Sequence, residues 1–136
     1  MNWYIKSQTQ PEVASTPEKI DLSKLKFEMP SQCRNYCTVV NIDVMKFDEL
    51  FKRDKGFYVG PQGAGGIQGR YGKFGEFLKR GIPIEMPIAV VNEDGKASFT
   101  NGRHRFAYLR DLGLKVMPIS MDKDYVRYAK KYGVIA

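Results

Sequence analysis

The chain has 136 residues, 43% of them hydrophobic and 12% aromatic, with a formal net charge of +7. That length suits one domain with a single core, and no segment approaches the ~18 apolar residues of a membrane span. The start, Met1-Asn2-Trp3-Tyr4-Ile5-Lys6, lacks the basic flank and long apolar run of a secretory signal, so a cytoplasmic protein with no membrane partner is expected. Charge is unevenly spread. Residues 103–131 hold eight Lys/Arg against three Asp/Glu, an imbalance that suits a polyanionic partner or, more blandly, a solubilising surface.

In chain order, residues 1–37 read as a partly ordered tail, polar and proline-punctuated through Pro11 and Pro17. Trp3-Tyr4-Ile5 is an apolar hook within it, and Ile20 to Leu25 alternates weakly. Cys33 and Cys37 are the only cysteines and His104 the only histidine, too few ligands for structural zinc. A disulfide closing so short a loop stabilises little, so two reduced thiols are expected.

The folded domain is expected over residues 38–136. Thr38-Val39-Val40-Asn41-Ile42-Asp43-Val44 is a β-branched strand. Residues 46–53 form a short amphipathic helix with Phe47, Leu50 and Phe51 on one face. Six of the thirteen glycines fall within residues 60–72, which makes a loop. Two readings of it stand: a mobile lid with Gln62, Gln68 and Arg70 as ligand contacts, or a segment that needs positive φ angles. No Gly-Lys-Ser/Thr follows it, so it is not a Walker loop.

A helix over residues 70–80 comes next, with Phe74, Phe77 and Leu78 on its apolar stripe and Gly81 at its end. Residues 87–91 and 97–100 are strands joined by an Asn92-Glu93-Asp94-Gly95 hairpin turn. A helix spans residues 103–112, a strand residues 115–120, and a basic helix residues 122–132. Pro118 argues that this strand lies at an edge or that the proline sits at a strand start. Tyr125, Tyr128 and Tyr132 are spaced to pack on the core, although aromatics among basic residues also suit stacking on single-stranded nucleic acid. The pattern is an α/β (α+β) class, a small mixed sheet with flanking helices.

The most informative stretch is Phe99-Thr100-Asn101-Gly102-Arg103-His104-Arg105. A strand passes through glycine into a helix whose first turn holds three basic residues. A helix N-terminus already carries about half a positive charge, so each cation there is unfavourable by roughly 0.3–1 kcal/mol. An anion would reverse every sign, and a helix start after a glycine turn is a ready phosphate seat. The alternative is that the side chains splay into solvent.

Together, Pro87-Ile88-Ala89-Val90-Val91, Glu93-Asp94-Gly95, Asn101-Gly102-Arg103-His104-Arg105 and Val116-Met117-Pro118-Ile119 resemble the conserved block of the ParB/sulfiredoxin superfamily. The resemblance covers about residues 66–121. It implies ATP or CTP binding with magnesium, with phosphates on Asn101, Gly102, Arg103, His104 and Arg105. Arg70 and Lys73 of the preceding helix would face them. It also implies possible hydrolysis or transfer of phosphate, with His104 as general acid/base and Glu76 as base or magnesium holder. The bland reading of Glu76 is a solvated helix carboxylate. Glu93 and Asp94 read as turn residues, and no protein metal site is expected.

Departures from the family narrow this. Arg103 stands where sulfiredoxins carry their reactive cysteine, which excludes that chemistry, and no helix-turn-helix domain follows, so centromere binding is not expected. Two alternatives remain: a metal-dependent nuclease using the same turn, or a non-catalytic nucleic-acid- or protein-binding module of the kind carried by phages or mobile elements, acting through residues 103–131.

Overall fold

The computed structural model describes residues 20–33 and 35–136; the expectations for the first eighteen residues, the Trp3-Tyr4-Ile5 hook included, lie outside them. The elements are β1 (Phe27–Glu28), β2 (Cys37–Asp43), α1 (Val44–Phe51), α2 (Arg70–Leu78), β3 (Ile84–Glu85), β4 (Ile88–Val91), β5 (Ala97–Asn101), α3 (Arg103–Asp111), β6 (Val116–Asp122) and α4 (Val126–Lys131). Four strands form a mixed sheet in the order β2-β6-β4-β5, antiparallel except for the parallel β6–β4 pair. The α+β class read from the pattern is what the chain adopts.

Local chemistry explains most boundaries. Asp43 caps α1 by accepting the Lys46 amide at 3.0 Å, which starts that helix two residues before the apolar pattern announces it. The β4–β5 hairpin closes on Gly95 at φ +88°, with Asp94 accepting the Lys96 amide. Phe47 and Phe51 of α1, Phe99 of β5 and Phe106 of α3 meet as tilted and edge-to-face rings, with centroids between 4.9 and 5.8 Å apart. This is the centre of the core, joined by Ile42, Leu109, Met117, Ile119 and Met121.

Two expectations need correction, and one strand pairing had no signal in the sequence. β6 is an inner strand, which removes the edge reading of Pro118 and leaves the proline near the strand start, as the third residue. That residue pairs with Asn41, whose carbonyl turns away from β6 to accept the Ala136 amide, and β4 joins β6 only from Ser120 onward. The missing proline N–H therefore faces a stretch with no ladder to break. The exposed side of β2 is met instead by the chain's end, through an Ile42–Ile135 bridge.

Cys33 and Cys37 are not reduced thiols: they are joined in a disulfide, with Cα atoms 5.4 Å apart. The chain reverses after Cys33, whose carbonyl accepts the Tyr36 amide at 3.2 Å, and this turn brings the pair within bridging distance. Finally, β1 lies parallel to β3 in a second sheet, pairing Phe27 with Ile84 and Glu28 with Glu85. Two-residue strands have no periodicity to read.

The polar centre of the fold is Arg110, whose side chain is 4% exposed. Its Nη1 donates to Asp48 at 2.9 Å and to the Val59 carbonyl at 2.7 Å, and its Nε donates to Asp111 at 2.9 Å. Tyr58 donates to Asp48, while Tyr71 and the Gln62 amide donate to Asp111. One guanidinium thus ties α3 to α1, α2 and the glycine-rich loop.

Removing one partner of a buried pair strands the other charge. Asp48→Ala is expected to destabilise the protein by about 3–5 kcal/mol in urea unfolding. Glu49→Gln, which breaks an exposed pair with Lys52, should leave the midpoint where it was.

Candidate functional site

Asn101 ends β5, and Gly102, at φ +92°, turns the chain directly into α3. Glycine is required there for two reasons: the angle is left-handed, and a Cβ would lie 2.9 Å from Pro87 Cα and 2.7 Å from Arg105 Nη2. The guanidinium of Arg105 therefore packs on the start of its own helix. No side chain caps that start, and neither α3 nor α2 has an acidic residue in its first turn. Both helices begin after a left-handed glycine with an arginine in first position.

These two helix starts share a cavity of about 540 Å³, within the roughly 300–1,000 Å³ range of small-molecule sites. Its cationic wall is Arg70 and Lys73 from α2 with Arg105 from α3, and Asn101, Gly102 and His104 complete that side. Phe74, Phe77, Ile82 and Pro83 supply an apolar wall, and Glu28 and Glu85 an acidic one. Arg70, Lys73, Phe74 and Phe77 follow the i, i+3, i+4, i+7 stripe of one helix face.

Arg105 is the least satisfied group in this cavity. Its Nε and Nη2 are buried and, among the described residues, have no hydrogen-bond partner. Burial lowers its pKa, opposed by the charge of Glu85. Orphaned buried donors are costly; Arg105 lines the cavity, with these two nitrogens closed off behind its surface, so an acceptor reaches them only when the side chain shifts.

His104 is 9% exposed and its Nε2 accepts the Ile67 amide at 2.9 Å. The ring is pressed against Gly66, where a Cβ would lie 2.8 Å from Nε2. Burial, then the charges of Arg103, Arg70 and Arg105, push its pKa down to about 4. The imidazole is neutral at pH 7, and with Nε2 accepting, its proton sits on Nδ1. Nδ1–H is then the one hydrogen bond the ring can offer a ligand. Its Nε2 holds the glycine-rich loop.

That loop is fastened at several points and fits the reading that needs positive φ, with such angles at Gln62, Gly63, Gly65 and Gly69. Gln62 and Gln68 are not among the cavity's lining residues, and the Gln62 amide is bonded to Asp111.

Of the residues nominated from sequence, Asn101, Gly102, His104, Arg105, Arg70 and Lys73 share the cavity, while Arg103 and Glu76 do not line it. Arg103 turns the other way, donating to the Phe57 carbonyl at 2.9 Å with its guanidinium over the Phe57 ring. Glu76 leaves the cavity stripe of α2 and pairs with Lys79 at 3.1 Å on the surface. Glu28 and Glu85 are the residues that sequence reasoning missed.

No protein-family model matches the chain, and neither the curated proteins nor the solved structures contain a match to it.

The depressed His104 pKa carries a sign. Between about pH 6.5 and 4 the unfolded chain binds a proton that the folded chain refuses, so this residue lowers stability as pH falls through that window. Urea midpoints at pH 7 and pH 4.5 should therefore differ more in the native protein than in His104→Gln. An NMR titration should find the imidazole still neutral at pH 5.

Proposed function

We propose that the cavity binds a nucleotide, ATP or CTP, with its phosphates on the start of α3. The observation that carries this reading is Arg105: a buried, partly orphaned guanidinium packed on an uncapped helix N-terminus. The unfavourable burial of that charge becomes favourable when an oxyanion accepts from its fork. Lys73 and Arg70 add charge from the facing helix, and the Phe74–Phe77 wall offers an apolar surface for a base.

Magnesium can accompany the phosphates. Among the described residues no group of three or more metal-ligating side chains exists, so phosphate oxygens and water would supply most of its ligands. Glu28 and Glu85 are the carboxylates on the cavity wall, and Glu76 is turned away. The geometry supports binding further than it supports turnover, since the His104 Nε2 is committed to the loop and Glu76 pairs with Lys79 outside the cavity.

The nucleic-acid reading draws less support. Of the eight basic residues in 103–131, Arg110 is buried in its ion pairs, Arg103 is held by Phe57 and Arg105 faces the cavity. Tyr125, Tyr128 and Tyr132 pack against the core. Among the described residues no helix is long and apolar enough to cross a membrane. A cytoplasmic location is weakened by the Cys33–Cys37 disulfide, because such bonds persist mainly in oxidising compartments.

Calorimetry with ATP and CTP tests the proposal. Arg105→Ala should weaken nucleotide binding roughly tenfold or more, the loss expected for charge-assisted hydrogen bonds, with an unchanged circular dichroism spectrum. Arg103→Ala should stay within about twofold of the native affinity, as expected for a surface charge outside the site. Equal losses in the two variants would leave a general electrostatic effect and no defined seat.

A further inference from the structure

The acidic wall of the cavity has no role in holding phosphate. Glu28 and Glu85 are directly paired positions on the parallel strands β1 and β3. Their partners one residue back, Phe27 and Ile84, face the core, so by strand alternation both carboxylates point to the other side, where both line the cavity. Neighbouring strands lie about 4.8 Å apart, and like charges opposite one another across a strand pair are destabilising. The same cavity holds three cations and two carboxylates, with Glu85 close enough to Arg105 to act on its charge, and a bare polyphosphate would meet repulsion from the two glutamates.

We propose, resting on the nucleotide reading above, that Glu28 and Glu85 accept hydrogen bonds from the 2′- and 3′-hydroxyls of a ribose, making the site selective for ribonucleotides. Adjacent hydroxyls present two donors to two acceptors. In dinucleotide-binding α/β folds an acidic side chain accepts a hydrogen bond from a ribose hydroxyl in this way. A metal ion is the other guest that carboxylates attract. Arg105 acts electrostatically on Glu85 and reduces the pull of this wall on a dication, while its oxygen lone pairs remain able to accept hydrogen bonds. The two glutamates thus supply discrimination, and the cationic wall supplies affinity.

The test compares ATP, its 2′,3′-dideoxy analogue and inorganic tripolyphosphate by calorimetry, with CTP and its dideoxy analogue in parallel. The full chain and the variants Glu28→Gln and Glu85→Gln are each measured in magnesium and in EDTA. The native protein should prefer a ribonucleotide to its dideoxy analogue by roughly tenfold or more. That preference should persist in EDTA and should shrink in each variant, while tripolyphosphate binds the variants as well as, or better than, the native chain.

Tripolyphosphate binding without ribose preference would overturn the sugar assignment and leave the phosphate seat standing. A preference present only with magnesium would assign the glutamates to a metal and also overturn it. Failure of every probe to bind the native chain would remove the nucleotide reading and this inference together. Glutamine keeps the side chain's shape, and a thermal melt of each variant confirms that folding is intact.

Discussion

A buried guanidinium needs partners for its N–H groups, and Arg110 finds them for Nε and Nη1, while its Nη2 has none among the described residues. Asp48 comes from α1, Asp111 from α3 itself and the Val59 carbonyl from the loop. Each acceptor is held in turn, Asp48 by Tyr58 and Asp111 by Tyr71 and the Gln62 amide. Burial and the hydrogen bond to Asp111 raise the pKa of Tyr71 far above its ordinary value, which keeps this phenol a donor. The far end of α3 is thereby locked to three other parts of the chain, and the position of its first turn is no longer adjustable.

That first turn is where the unfavourable electrostatics collect. Two helices start after left-handed glycines with no acid to compensate their dipoles, and Arg70, Lys73 and Arg105 share the cavity beside them. His104 tolerates this neighbourhood by staying neutral, and it uses its free lone pair to fix the loop that closes one side. A site assembled from groups that repel one another stays folded because its supports lie elsewhere, in the aromatic core and in the Arg110 network. On the proposed reading an anionic guest relieves the repulsion among these cations and at the two helix starts.

Much of this was legible in the residues. Apolar spacing located α1, α2, α3 and the β4–β5 hairpin to within a residue or two, because period and capping are local properties. The concentration of charge at the Asn101 to Arg105 turn was legible for the same reason: dipole, glycine and charge all lie within five residues. Arg103 was misplaced with its neighbours because sequence adjacency says nothing about which side of a helix start a long side chain takes. Phe57, distant in sequence, captured it. Glu76 was one helical step off the stripe that lines the cavity. The disulfide depended on a chain reversal after Cys33 that spacing alone does not encode.

The residues by themselves determined the class of fold, the succession of helices and strands, and a concentration of positive charge at one helix start, since these rest on interactions between near neighbours. The tertiary structure decided what lies across from that charge. It brought α2 alongside α3, set Glu28 beside Glu85 on two strands too short to have a pattern, and let the inner strand β6 keep its proline by ending a ladder in time. Those outcomes depend on which distant segments come to share a boundary, and long-range packing is where local propensity carries no information.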